Sequence, residues 1–272
     1  AYCSPMRLPL VFILMTTMID SIGIGLIIPV MPALLREIGN VPLADAAMWG
    51  GVLMTAFAAM QFLFGPVIGA LSDRYGRRPI LLIALFVMTL DYLVMAIAQT
   101  FWLLLAGRIV GGITAATQST ASAFMADISE PHEKAARFGL IGAAFGMGFV
   151  IGPLIGGLLA EFGTRAPFYG AAALSAANMV FGYFVMPETV TDRTRRPLTW
   201  ARTNPLGAFL NVALNPRLRT LLILFFAYQV AFMVYPAVWA YFTEARFGWS
   251  PGMIGLSRGA FGMAGARVHG GL

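Results

Sequence analysis

Apolar residues fall in long uninterrupted runs, and the polar residues gather in short stretches between them. A run of about 20 apolar residues is the length needed to cross some 30 Å of hydrocarbon as a helix. The runs predict spans at Leu8 to Ala33, Met48 to Leu71, Ile80 to Ala98, Phe101 to Phe124, Phe138 to Leu159 and Phe168 to Met186. A polar stretch from Pro187 to Arg219 follows, rich in Arg, Thr, Pro and Asn. A seventh span is predicted at Leu221 to Phe242, and an eighth begins near Met253. This divides the chain into a six-helix bundle (1–186), a central linker (187–219) and the start of a second bundle (220–272). The fold class expected is an all-α membrane protein.

Two similar segments lie 87 residues apart, FGPVIGALSDRYGRR and IGPLIGGLLAEFGTR. Gly65, Pro66, Gly69, Gly76 and Arg78 recur as Gly152, Pro153, Gly156, Gly163 and Arg165. The first segment ends the second span and the other ends the fifth, at opposite membrane faces. Helices one to three and four to six are therefore expected to form an inverted repeat. The same spacing pairs Asp91 with Asn178, both polar and both in mid-span.

Composition agrees. The 272 residues are 59% hydrophobic and 11% charged, against about 25% charged in an average soluble domain. The net charge of +6 does not point to nucleic acid, because the basic residues sit in short loops beside apolar runs. Arg7, Arg74, Arg77, Arg78, Lys134, Arg137, Arg193, Arg195, Arg196, Arg202, Arg217 and Arg219 collect on one side, and Arg36, Arg165 and Arg246 on the other. The more basic side is expected to be cytoplasmic, with the N-terminus inside. Arg7 before an apolar run resembles a signal peptide, but the run is long, holds Asp20 and lacks a small-residue cleavage site, so a retained first helix is expected. Met6 is a plausible start.

No metal or nucleotide chemistry is visible. There is one cysteine, Cys3, and the histidines are His132 and His269. Gly255-Leu-Ser-Arg-Gly259 fits a hydrolase pattern but lacks its strand-turn-helix setting. The informative residues are charges inside spans. A carboxylate there costs about 2.5–3.5 kcal/mol on insertion scales and is usually functional. Asp20 and Asp91 are such residues; each can hold a proton when burial disfavours its charge, or pair with a polar neighbour. Arg108 cannot shed its proton and needs a carboxylate, a carbonyl or water. Gln61, Thr117, Gln118, Ser119 and Thr120 are candidates to face the same interior, or to make ordinary bonds between helices. Gly148, Gly152 and Gly156 lie at steps of four on one stripe with Pro153, beside Gly157, and should let another helix approach closely.

The loop GALSDRYGRRP resembles the loop between helices two and three of the major facilitator superfamily. DSIGIGLIIPVMPALLREIG, Asp91 and GRIVGGITAAT resemble its tetracycline-efflux branch, and GFVIGPLIGGLLAEFG resembles its antiporter signature. The resemblance implies two six-helix bundles that alternate access around a central site. It implies export of a small-molecule drug of the tetracycline type in exchange for protons, with no cofactor and with the substrate leaving as a divalent-metal chelate. Asp20, Gln61 and Asp91 would handle substrate or protons, with Arg108 and Gln118 beside them. Arg36 matches an arginine at the outer end of helix one. Asp73, Arg74, Arg77 and Arg78 match the gating loop, and Asp127 the carboxylate that pairs with Arg77. Gly148, Gly152, Pro153, Gly156 and Gly157 match the antiporter motif. The implied setting is the plasma membrane of a bacterium, with lipid as the surroundings and no nucleic-acid partner. A carrier of another solute and a non-transporting membrane fragment are the alternatives, because twelve helices need about 400 residues. The family's later carboxylates and histidine are unmatched here; His269 is not assigned to that histidine.

The tail is expected to fail as a spanning helix. Arg258 and Arg267 are nine residues apart, half a turn out of phase at about 100° per residue. The glycines at 259, 262, 265, 270 and 271 lower helix propensity further.

Overall fold

Where apolar runs leave the backbone no water to bond, the chain must satisfy its own amides, and helices do this within one segment. The computed structural model describes residues 7–115, 117–191, 195, 203–205, 207 and 216–270. Its helices are α1 (Arg7–Ile27), α2 (Met31–Gly39), α3 (Leu43–Tyr75), α4 (Arg77–Ile97), α5 (Phe101–Thr114) and α6 (Thr117–Ile128). They continue as α7 (Lys134–Ala160), α8 (Ala166–Val185), α9 (Pro216–Phe247) and α10 (Pro251–Gly270). Among the described residues, six helices are long and apolar enough to cross a membrane: α1, α3, α4, α7, α8 and α9.

Four boundaries differ from the sequence reading. The first span is divided: α1 runs regularly through Gly23 and Gly25, and the chain breaks only at 28–30, where Pro29 and Pro32 interrupt the amide ladder. The fourth span is also divided, at Ala115 between α5 and α6. The loop between spans two and three shrinks to Gly76, whose φ of 118° suits glycine, so Arg77 and Arg78 form the first turn of α4. Gly69 lies inside α3 and makes no turn. The linker gives up its last residues to α9, which starts at Pro216; most of the rest lies outside the described residues.

The helices pack as an exchange-symmetric set. α1 lies on α7 and α3 on α5, α1 meets α8 and α4 meets α5, while α4 pairs with α8. Swapping the first three spans for the next three turns each pair into its counterpart. Individual bonds follow the same rule. Arg78 donates to the carbonyl of Tyr183 at 2.6 Å, and Arg165 donates to that of Ala96 at 2.8 Å. Arg165 lies 87 residues after Arg78, and Tyr183 lies 87 after Ala96. Gly76 and Gly163, at the same spacing, both have positive φ, 118° and 125°.

The glycine stripe on α7 meets α1. A Cβ on Gly152 would lie 2.6 Å from the Ile22 carbonyl and one on Gly156 would lie 2.5 Å from that of Leu26, while Gly148 faces the Met18 carbonyl. The steps match in both helices, so the two run parallel in backbone contact. Gly157 turns to the other side, against Pro251 of α10.

The tail forms a helix, α10, despite its glycines. It is helical through Gly270 and packs on α7. The glycines counted against it make the contact: Gly255 faces the Pro153 carbonyl, Gly259 faces Leu154 and Gly262 faces Val150. Packing gained at a glycine face outweighs the loss of intrinsic propensity. α10 is not among the six helices long and apolar enough to span.

Two apolar clusters fill the first bundle. One holds Phe12, Ile13, Leu81, Leu85, Phe124 and Met125, near the Gly76 end. The other holds Leu26, Leu34, Leu53, Met95, Leu104 and Phe168, near the opposite end. Replacing Gly152 with Val should lower stability by about 1–3 kcal/mol through overpacking against α1. Gly142→Ala, where nothing lies within 4 Å, should be neutral or stabilising by up to about 1 kcal/mol. Thermal unfolding of the two purified variants would separate the outcomes.

Candidate functional site

Between the two apolar clusters lies a polar layer. Thr16, Thr17, Asp20 and Ser21 supply it from α1, Asp91 from α4, Arg108 from α5, Thr117 and Thr120 from α6, and Ser175 and Asn178 from α8. All are buried. On α1, α4 and α8 they separate residues of one cluster from residues of the other, so the layer crosses the bundle at mid-height.

Arg108 is ion-paired to Asp91 Oδ2 and sits over the Phe57 ring, 5.0 Å from its centroid. Gly107 and Gly111 make room for the carboxylate: a Cβ on either would lie 3.0 or 2.8 Å from an Asp91 oxygen. Two glycines on one face of α5 thus let α4 bring a charge to a charge. Asn178 donates to Thr16 Oγ1 at 3.0 Å, and Ser21 donates to the Phe145 carbonyl at 2.7 Å.

Asp20 lies where α5 gives way to α6. Thr117, the first residue of α6, sits beside its carboxyl. Gln61 donates to the Ala115 carbonyl at 2.8 Å, bonding an acceptor at the helix break. The Tyr92 hydroxyl rests over Gly23, one turn along from Asp20. Asp20 Oδ1, Asp91 Oδ1, Arg108 Nε and the hydroxyls of Thr17, Thr117 and Thr120 are buried without a protein hydrogen bond. The layer therefore keeps capacity for a proton or a polar group.

A second cluster lies at the Gly76 end. Arg77 bonds Asp73 at 2.6 Å and Asp127 at 3.1 Å, and also reaches Ser72. Thr189 donates to the same Asp127 oxygen at 3.1 Å. The Glu188 carboxylate accepts from the backbone amides of Arg77 and Arg78 at 2.9 and 3.2 Å, capping α4. At the opposite end Arg36 pairs with Glu244 of α9 at 2.6 Å, and Arg165 with Glu37 at 3.3 Å. The Tyr241 hydroxyl of α9 rests on Gly50 of α3.

The structure thus unites Asp20, Asp91 and Arg108 in one layer, with Gln61 at its edge, and Asp73, Arg77 and Asp127 in one cluster. It leaves Gln118 exposed on α6, Arg74 over the neighbouring Tyr75 ring, and Arg78 over Tyr183. Glu188, Glu244 and Tyr92 were missed from sequence. Glu188 follows the sixth span on the side of the loop, a signal of side but not of partner. Among the described residues no His, Cys, Asp and Glu group is arranged to hold a metal ion.

Breaking the Asp91–Arg108 pair should be costly because it strands a buried charge. Asp91→Leu alone should destabilise by about 3–5 kcal/mol, and Asp91→Leu with Arg108→Leu by much less. Unfolding of the single and double variants gives the coupling directly.

The chain matches the family model described as Major Facilitator Superfamily over residues 13–272. It is 45% identical to the class C tetracycline resistance protein of Escherichia coli over 93% of this chain and 63% of that protein. It is 39% identical to the class D tetracycline resistance protein of Salmonella ordonez over 94% of this chain and 64% of that protein. The chain therefore spans less than two thirds of the length of these relatives. In structure it resembles the human organic anion transporter MFSD10 (TETRAN), with a TM-score of 0.75 and 26% identity, over 98% of this chain and 72% of that one. The chain belongs to the Major Facilitator Superfamily, on the branch of the tetracycline resistance proteins.

Proposed function

We propose that this protein is a secondary transporter that exports drugs of the tetracycline type from a bacterium in exchange for protons, by alternating access. The observation that carries the reading is the polar layer, in which two carboxyls and a guanidinium sit between apolar clusters inside membrane-spanning helices. A membrane helix accepts such charges where they move ions or solutes. The relatives named for tetracycline resistance support the substrate class.

The roles divide by partner. Arg108 holds the Asp91 carboxylate, so that carboxylate is a fixed counter-charge. Among the described residues Asp20 has no ion-pair partner, and its Oδ1 is buried without a hydrogen bond. Asp20 is the group that binds a proton and yields it to incoming substrate, whose metal chelate would carry the positive charge. The Gly76 end, which holds the more basic loops, is the cytoplasmic face, and the N-terminus is inside. Asp73, Arg77 and Asp127 close or release that face as the bundles rock. Everted membrane vesicles containing the protein should take up tetracycline when a proton gradient is imposed. Asp20→Asn should lower that uptake at least about tenfold while binding of substrate persists. Undiminished uptake by Asp20→Asn would remove this residue from proton coupling, and uptake that ignores the gradient would sink the exchange mechanism.

The Arg36–Glu244 pair and the Tyr241–Gly50 contact join the first bundle to α9 at the outer face. They act as a latch that keeps this face shut. Ala240 is buried, one turn from Glu244, and with Cys3 replaced by Ser it offers a site for one reporter cysteine. In Ala240→Cys, adding Glu244→Ala should speed labelling by a membrane-impermeant maleimide from outside several-fold. Equal rates with and without Glu244 would show that the pair latches nothing.

A further inference from the structure

α4 carries Asp91 and Tyr92 side by side, and neighbouring residues on a helix point about 100° apart. Asp91 turns to α5, where Arg108 holds it. Tyr92 turns to α1. Its side chain is buried, 4% exposed, in the apolar cluster that holds Ile22, Leu26 and Met95. Its hydroxyl sits over Gly23, one turn after Asp20, and a Cβ on Gly23 would overlap the hydroxyl oxygen. The hydroxyl also lies within electrostatic reach of the Asp20 carboxyl.

The backbone gives no reason for a glycine at position 23. α1 runs regularly through it and its φ is not positive, while glycine is a poor helix former. What the missing side chain supplies is a seat for the tyrosine oxygen. Among the described residues the charged groups of the layer are Asp20 on α1, Asp91 on α4 and Arg108 on α5. Around them α6 offers Thr117 and Thr120, α7 the Phe145 carbonyl, and α8 Ser175 and Asn178. Arg108 is engaged by Asp91, so no cation is left over to steady a charge on Asp20.

A phenol has one proton to donate and ordinarily keeps it at neutral pH. It can therefore stabilise a carboxylate without exchanging protons in its place. Packing fixes the Tyr92 ring and leaves only the hydroxyl free to rotate, and such a fixed dipole acts strongly where water is excluded. Asp91 and Tyr92 share one turn of α4, so a shift of that turn against Arg108 carries the hydroxyl across Gly23 with it.

We propose, on the reading of Asp20 as the proton-binding group, that Tyr92 is a positioning residue for proton exchange there: its hydroxyl, seated on Gly23, directs an O–H dipole at the Asp20 carboxylate and favours release of the proton. A donor that stabilises the charged form lets a carboxyl lose its proton at lower pH, so removing the donor raises the pH of release.

The test titrates purified protein in phosphatidylcholine nanodiscs, without drug or gradient, and follows the carbonyl stretch of protonated carboxyls by infrared difference spectroscopy. The band lost in Asp20→Asn belongs to Asp20. Tyr92→Phe keeps the ring and its packing and removes the hydroxyl. It should raise the midpoint of the Asp20 band by about one pH unit, a tenfold gain in proton affinity. Gly23→Ala, which displaces the hydroxyl, should raise it similarly. The double variant should rise no further than Tyr92→Phe, because both changes act through one group. If Gly23→Ala does not fold, Tyr92→Phe decides alone. A ring with a purely structural role would leave the midpoint in place. An unmoved or lowered midpoint in Tyr92→Phe, or additive shifts in the double variant, would overturn the role of Tyr92 and leave proton binding at Asp20 standing. The absence of any band that Asp20→Asn removes would sink both.

Discussion

A charge placed in the middle of a hydrocarbon layer has only the protein to turn to, and the arrangement of this bundle answers to that fact. Arg108 cannot discharge and Asp91 is the carboxylate beside it. For the two to meet, α4 and α5 must cross where α5 presents Gly107 and Gly111. That crossing places Asp91 and Arg108 level with Asp20, Thr117 and Asn178, between two apolar clusters that keep the layer dry above and below. The low dielectric that makes the pair costly to break also makes a free carboxyl oxygen on Asp20 responsive to a proton or a cation.

The inverted repeat supplies the geometry in which this happens, and it is kept unevenly. Backbone features survive the exchange: the positive-φ glycines at 76 and 163, and the arginines that reach the carbonyls of Tyr183 and Ala96. Side-chain chemistry has diverged. Asp91 is paired with an arginine, whereas its counterpart Asn178 bonds Thr16. Gly152 and Gly156 are pressed against α1, whereas Gly65 and Gly69 on α3 have nothing within 4 Å.

α7 sits at the junction of these demands. One face carries the glycines that admit the α1 backbone, and another carries Pro153 and Gly157, which admit α10. Proline at 153 leaves a carbonyl ladder already interrupted, and the α10 glycines approach that same turn. A helix that touches both bundles through backbone rather than long side chains is suited to slide without repacking large groups. The charged contacts stand at its two ends, with Arg77 and its carboxylates at one face and Arg36 with Glu244 at the other.

Much of this was legible in the chain itself. Run length marked the helices because hydrocarbon thickness sets a minimum span. The 87-residue spacing showed the repeat, and rarity of charge in apolar runs singled out Asp20, Asp91 and Arg108. Partners were not legible. Glu188 bonds amides 111 and 110 residues before it, and Glu244 meets an arginine 208 residues away. Nothing local marks such pairs. Helix breaks were misread for a related reason: Ala115 interrupts the fourth span with no proline beside it, and Gln61 from another helix bonds its carbonyl. The tail inverts the lesson, since its glycines read locally as helix breakers and prove to be the surface that fits α7. Sequence by itself determined which segments must be helical and which charges must be buried, because both follow from the cost of exposing polar groups to lipid. Only the tertiary structure decided which charge meets which, because that depends on where rigid helices can approach one another.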